Sequence, residues 1–418
     1  MQRDSIPVVV AQHAEMAAQL HLQRCVLLEA PHIKLEQLRR TDERLAAHLD
    51  GLDVAGEHGA SACDAALETP DAHVMFCALV GAIVSGDAER LDRLLLLANA
   101  AADTRPGVIA AFAWLEAPQL RGVVVSLLAS KDAFRRWVGV AASAAHRVDP
   151  GLISAARLQD ADASVRARAL RAAGELGRRE LVSSLAAAIG DEDPECAFWA
   201  AWSAVVLGDR HDALDFLQAI ARAEGPHRRR ALRLVLQALP VTDAHALLRQ
   251  LSQDPANVRT LIQGAGLIGD PTYVGWLIGH MADDELSRVA GEAFSTITGA
   301  DLAWLDLERK PPEEPAAGPD DDPDNADVDM DEDDGLPWPD PARISAWWGQ
   351  QRMRFTAGAR SFLGAPVTRA RCIDALGHGF QRQRIAAAYH LCLSNPGTPL
   401  FEWRAPAPRQ LRELARLD

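Results

Sequence analysis

From about Asp132 to Gly299 the chain alternates polar openings with apolar runs at a period near thirty residues. Asp162, Asp193, Asp254 and Asp284 each open a segment. Each apolar run then closes fifteen residues after its aspartate, at Gly177, Gly208, Gly269 and Gly299. The openings are 31, 61 and 30 residues apart, and the double interval holds a degenerate copy from Gly225 to Pro240. Self-similarity at a fixed period of this length marks stacked structural repeats. In the copy opened by Asp162, the residues Val165, Ala169, Leu170, Ala172, Ala173 and Leu176 mix three- and four-residue steps, which predicts a helix with one buried face. Arg166, Arg168 and Arg171 fall largely on its outside, and a second helix over Glu180–Ile189 completes the pair. The copy opened by Asp193 is more apolar, with Phe198, Trp199, Trp202, Val205 and Val206. An aspartate at such a start accepts backbone N–H bonds as an N-cap, so these carboxylates are read as structural.

The same pattern extends outward with less regularity. Residues 1–60 do not fit the repeat and are read as an N-terminal helical cap. It has one helix over Glu15–Leu28, a break at Pro31, and a second helix over Leu35–Leu49 stopped by Gly51. Residues 61–305 form the repeat array, with Asp71 and Pro106 near the starts of its earlier pairs. Residues 306–342 are an acidic segment with few apolar residues to bury, read as disordered. Residues 343–418 resume folded character. Trp347 and Trp348 lie in one helix, and a further pair over Thr368–Leu376 and Gln381–Leu393 is split by Gly377-His378-Gly379. A turn-rich tail follows and is expected to pack irregularly.

Charge sharpens this division. The formal net charge is −15, which disfavours a general nucleic-acid binder. Residues 311–342 carry thirteen acidic and no basic side chains, so the rest of the chain is nearly neutral. The six cysteines form no CxxC pair and read as reduced, largely buried thiols. Val8-Val9-Val10 is too short for the apolar core of a signal peptide, and no stretch approaches a membrane span. A cytoplasmic protein without membrane association is expected.

Candidate chemistry is sparse. Asp327, Asp329, Asp331 and Asp333 alternate as in calcium loops, but Glu332 and Trp338 stand where an EF-hand needs glycine and glutamate. No metal motif stands out. His13 and His21 could share a helix face but no third ligand follows, and His390 and Cys392 point in different directions. No nucleophile elbow or Walker sequence is present, and Gly264-Ala265-Gly266 reads as close helix packing. No catalytic residue, metal or cofactor is expected. Arginines recur along the array at Arg135-Arg136, Arg166, Arg168, Arg171, Arg178-Arg179 and Arg228-Arg229-Arg230. They read either as an ordinary salt-bridged face or as a basic groove for an acidic peptide, a phosphorylated segment, a nucleic-acid backbone or the chain's own acidic insert.

The two ends are less generic. Pro31-His32, Leu38 and Asp42-Glu43-Arg44-Leu45-Ala46-Ala47-His48-Leu49-Asp50-Gly51 resemble the start of an uncharacterised bacterial family with HEAT-like repeats, often encoded in type VI secretion gene clusters. Gly377 to Gln381, Arg384, Asn395-Pro396-Gly397, Pro399-Leu400-Phe401-Glu402 and Ala405-Pro406-Ala407-Pro408-Arg409-Gln410 resemble that family's ending. The resemblance implies an accessory role in assembly, regulation or effector handling, and carries over no activity. The expected fold is an all-α, HEAT-like solenoid of antiparallel helix pairs with one disordered acidic insert. The expected function is a non-catalytic protein-binding scaffold or adaptor, with a type VI secretion component or effector as partner. Contact residues are expected at Asp42, Arg44, His48, Asp50, Arg228, Arg229, Arg230, His378, Gln381, Arg384, Glu402 and Arg409, where polar character exceeds what capping needs. Alternatively, the terminal residues among them bond to one another and lock the ends. Two other HEAT-like classes are weighed: a nucleic-acid-binding protein of the DNA alkylation-repair type, using Trp199, Trp202 and Asp193, and a phycobilin-lyase-like protein.

Overall fold

The computed structural model describes residues 6–149, 157–312 and 331–417. In chain order its helices are α1 (Pro7–Leu27), α2 (Leu35–Val54), α3 (Glu57–Ala66), α4 (Ala72–Val84), α5 (Ala88–Ala100), α6 (Arg105–Trp114), α7 (Val123–Ala129), α8 (Ala133–Ala145), α9 (Ala163–Glu175), α10 (Val182–Ala188) and α11 (Pro194–Val206). They continue as α12 (Asp212–Arg222), α13 (Arg228–Ala238), α14 (Val241–Leu251), α15 (Val258–Ile268), α16 (Val274–His280), α17 (Asp284–Thr298), α18 (Pro341–Gln351), α19 (Arg369–His378), α20 (Gln381–Ser394) and α21 (Ala407–Leu417). The strands β1 (Ser361–Phe362) and β2 (Ala365–Pro366) form a small antiparallel hairpin. The architecture is that of paired antiparallel helices in a solenoid-like arrangement. The chain divides into two compact units. The first comprises Met1–Glu29, Ile33–Leu207 and Pro396–Asp418, and the second Ala30–His32 and Gly208–Asn395.

In the first unit, aspartates start the helices as expected. Asp71 accepts from the amides of His73 and Val74, Asp132 from Arg135, Asp162 from Ser164 and Val165, and Asp193 from Cys196. Each satisfies amides that have no partner within the helix. The apolar faces meet in a continuous core that includes Leu20, Leu45, Phe76, Leu95, Phe112 and Val138. Several boundaries differ from the expected ones. α1 begins at Pro7, and α2 runs through Gly51 to Val54. Gly51 is there for close approach: a Cβ would lie 2.7 Å from the His13 ring. Arg168 is not an outside residue. It pairs with buried Glu175 at 2.9 Å, and Arg171 reaches the same carboxylate at 2.7 Å. Trp199 and Trp202 are buried, with Arg171 stacked over Trp199 at 4.5 Å.

The tail after Pro396 is not irregular throughout, because it ends in α21. Before that helix it forms a strap across helix C-termini, where carbonyls lack intrahelical donors. The Leu400 amide donates to the Glu175 carbonyl at the end of α9, and Arg147, just after α8, donates to the Leu400 carbonyl. In the first turn of α21, Arg409 donates to the carbonyls of Ala113, Trp114 and Leu115 at the end of α6. Gly177, the stop after α9, has φ +71°, and a Cβ there would lie 2.3 Å from the Gly397 carbonyl oxygen. The repeat's glycine thus both ends the helix and admits the strap.

The second unit uses the same device. The stretch around β1 crosses the C-termini of α13, α15 and α17. Arg360 donates to the carbonyls of Leu236, Leu239 and Leu267, the Ser361 amide to Gly269, and the Leu363 amide to Thr296. Gly269 has φ +74°, and a Cβ on it would lie 2.2 Å from the Ser361 carbonyl oxygen. α17 is capped by Asp283; Asp284, the expected cap, is instead its first residue and pairs with Arg309. Gly264 and Gly266 serve close packing as expected, against Leu248 and Ala293. At both ends of the stretch expected to be disordered, 306–342, the backbone is ordered. Glu308 and Pro339 form an antiparallel bridge, and the amides of Arg309 and Asp340 donate to Trp338 and Leu307. The remainder of the expected disordered stretch, residues 313–330, lies outside the described residues.

Candidate protein-binding groove

Several arginines of the first unit form staples between repeats. Arg136 of α8 pairs with Asp160 at 2.8 Å, and Arg166 of α9 with Asp191 at 3.1 Å. Each of these acids stands two residues before the cap of the next helix and also accepts that cap residue's amide. Asp160 is held down to about 2, first by its bond to Arg136, which outweighs burial. Arg135 pairs with Asp92, and Arg178 with Asp149 and Glu180. On these helices the salt-bridged face is the reading that the geometry favours.

The second unit differs. Arg228 and Arg229 of α13, Arg259 of α15 and Arg382 of α20 line a cavity of about 420 Å³ floored by Leu232, Leu236, Gly266 and Ala293. Positions 229, 259 and 288 are spaced by 30 and 29 residues, so the repeat period stacks one arginine per helix pair along the face of α13, α15 and α17. The end of the acidic segment lies against this row. Arg229 meets Glu332 at 3.3 Å, Arg259 meets Asp333 at 2.6 Å and Glu332 at 3.7 Å, and Arg288 meets Asp331 at 2.7 Å. Arg382 donates to the Glu332 carbonyl at 2.5 Å and pairs with Glu292 at 2.8 Å.

Burial grades these contacts. Asp333 is only 2% exposed, whereas the side chains of Arg229 and Glu332 are 62% and 53% exposed. Trp338 anchors the segment, with Arg288 4.6 Å above its ring and Arg309 at 5.3 Å. His32 lies 2.9 Å from the Asp334 carbonyl. Burial alone would lower the Arg259 guanidinium, but Asp333, Glu332 and Asp331 outweigh it and raise it. Burial raises the Glu292 carboxyl despite Arg382 beside it. The result is a row of cations over an apolar floor, charge-matched to an acidic turn.

The residues expected as contacts fall into two sets. Asp42 is buried: it accepts from Arg24 Nε at 2.6 Å and from the Ala407 amide at 2.7 Å. Glu402 pairs with Arg147 at 3.1 Å, and Arg409 caps α6 as described. Gln381 and Arg384 are buried and bonded to each other, with Arg384 also donating to the Leu376 carbonyl. His48 faces His13, with ring nitrogens 3.0 Å apart, and its pKa is lowered by burial, His13 and Arg44. Arg44 and Asp50 are exposed, and His378 is exposed beside Asp374. Arg228 donates to the Asn257 side chain at 2.7 Å and pairs with Glu224, while Arg230 is half-buried. Arg259, Arg288 and Arg382 were not singled out from sequence, because only Arg228–Arg230 form a visible run; the thirty-residue spacing from Arg229 was the available signal.

The damaged-base constellation is not assembled as an open site. Asp193 caps α11, Trp199 donates to Glu195 at 3.1 Å, and Trp202 is buried. One metal-type cluster is assembled among the described residues: His21, left without a third ligand in the sequence, meets Cys25 and His73. No helix among the described residues is long and apolar enough to cross a membrane.

Comparison with protein families matches residues 150–239 to HEAT repeats. A search of curated proteins finds no match. The matched stretch takes in α9 to α13, and the helix pairs on either side follow the same pattern, giving the protein a HEAT-like repeat fold. Solenoids of this kind present extended surfaces for protein–protein interaction.

Proposed function

We propose that the protein is a non-catalytic, protein-binding scaffold whose arginine groove takes an acidic segment of a partner at its exposed rim, in competition with its own Glu332. The observation that carries this is the seating of the chain's own acidic residues on Arg229, Arg259 and Arg288. A contact built from exposed ion pairs at its rim is exchangeable, since such pairs contribute only about 0–1 kcal/mol each. Arg44, Asp50 and His378, all exposed, are further contact candidates at the ends. The resemblance of both ends to the type VI secretion-associated family supports an accessory role beside that system, in the cytoplasm, with one of its components or effectors as partner.

The test is binding of a fluorescent acidic peptide of sequence DEDDGLPWPD, which copies residues 331–340. The full chain should bind it weakly, Glu332→Gln more tightly, and the Arg229→Glu/Arg259→Glu double variant not at all. Equal binding by all three proteins overturns the groove. Purification from the native cell tests the assignment to secretion: recovery of a type VI component, lost in the double variant, supports it, and recovery of nucleic acid alone contradicts it.

A further inference from the structure

His21 and Cys25 stand one turn apart on α1, so their side chains share a face. His73, at the start of α4, is brought to the same place by the packing of α1 on α4. His21 Nδ1 lies 2.9 Å from His73 Nδ1, and Cys25 Sγ lies 3.8 Å from His21 Nε2. One ligand atom from each of the three lies within 4.8 Å of the others.

We propose that His21, Cys25 and His73 bind a borderline-soft divalent transition metal, zinc in the first instance, which ties α1 to α4. Zinc bonds nitrogen at about 2.0–2.1 Å and thiolate sulfur at about 2.3 Å, so tetrahedral ligand atoms stand roughly 3.3–3.8 Å apart. The Cys25–His21 separation already matches that edge. The His73 ring is half-buried, and a turn of it exchanges its hydrogen bond with His21 for a place on the ion. Three protein ligands leave a fourth position of the tetrahedron for water.

The surroundings fit this role. His21 is 2% exposed and stacks on Phe76 at 3.9 Å and 3°, which fixes its ring plane as the partners of metal-bound histidines do. The nearby Arg24 cation is neutralised by Asp42 at 2.6 Å. Binding displaces the Cys25 thiol proton to solvent as the sulfur–metal bond forms. The other five cysteines are buried, which leaves Cys25 as the accessible thiol.

Cobalt(II) added to the reduced full-length protein reads the site directly. The expected result is a single tight equivalent with a thiolate-to-cobalt charge-transfer band in the near ultraviolet and d–d bands in the visible, both displaced by zinc. Cys25→Ser should remove the charge-transfer band, and His73→Gln should weaken binding at least tenfold. Both positions are solvent-accessible, and circular dichroism checks that each variant folds. Zinc should raise the melting temperature of the wild-type protein and of neither variant. Absence of the charge-transfer band in the wild type, or its persistence in Cys25→Ser, overturns the proposal.

Discussion

Arg24–Asp42 in the first unit and Arg229–Glu332 in the second are the same chemical pair at opposite extremes of exposure. Arg24 and Asp42 are 7% and 2% exposed at their side chains, and their further bonds go to the chain itself: Asp42 to the Ala407 amide, Arg24 to the carbonyls of Arg404 and Ala405. Arg229 and Glu332 are mostly in water. A buried, fully bonded pair gives no net attraction to an incoming partner, and breaking it leaves a stranded charge. An exposed pair costs little to open and leaves both groups hydrated. The first arrangement is a lock and the second an exchangeable contact, although both look identical in a list of charged residues.

The largest effect should therefore come from the lock. Asp42→Ala leaves Arg24 buried without its carboxylate and should lower stability by about 3–5 kcal/mol, read as a lower denaturant midpoint. The strap of the second unit should come next. Arg360→Met removes three bonds to the carbonyls of Leu236, Leu239 and Leu267 and should cost about 1–3 kcal/mol. If either substitution is neutral, the straps are not the closures described above.

Acid should act on the first unit's staples. Burial would raise the Glu175 carboxyl, but Arg168, Arg171 and Arg147 outweigh it and hold the group at about 2. Asp160 is held equally low. Both folded values lie below the ordinary ones of 4.5 and 3.8. Their stabilisation is therefore complete above about pH 5 and is lost as pH falls through 4 toward 2. Thermal melts across that range should show the decline, and Glu175→Gln should flatten part of it. A wild-type melting temperature constant down to pH 3 would show that these pairs contribute nothing.

The smallest stability effect belongs to the exchangeable contact. Glu332→Gln should change stability by less than about 1 kcal/mol while altering acidic-peptide binding. A large loss of stability would place Glu332 among the locks and remove the contrast.

The helix pairs were legible because they rest on local signals: an aspartate cap, an apolar face and a glycine stop recur at one period. Asp71, Asp132, Asp162 and Asp193 all cap as their positions predict. The terminal polar residues were legible as unusual, with locking of the ends weighed against partner contact, but their partners were not. The partners of Asp42 and Arg409 lie at the opposite end of the sequence, at Ala407 and Ala113–Leu115, and no local pattern announces such a strap. The groove falls between these cases. Arg229, Arg259 and Arg288 keep the repeat spacing, but one period separates each from the next, so composition over a short window misses them. The His21–Cys25–His73 cluster was hidden for a related reason, because α4 supplies its third member from fifty-two residues beyond His21.

Fluorescence titration of the acidic peptide against the full chain, Glu332→Gln and Arg229→Glu/Arg259→Glu, at low and at physiological salt, tests the central claim most directly. An occupied, exchangeable groove predicts tighter binding by several-fold in Glu332→Gln, loss of binding in the double arginine variant, and weakening of all binding with salt. Identical affinities for the three proteins, or binding indifferent to salt, would contradict it.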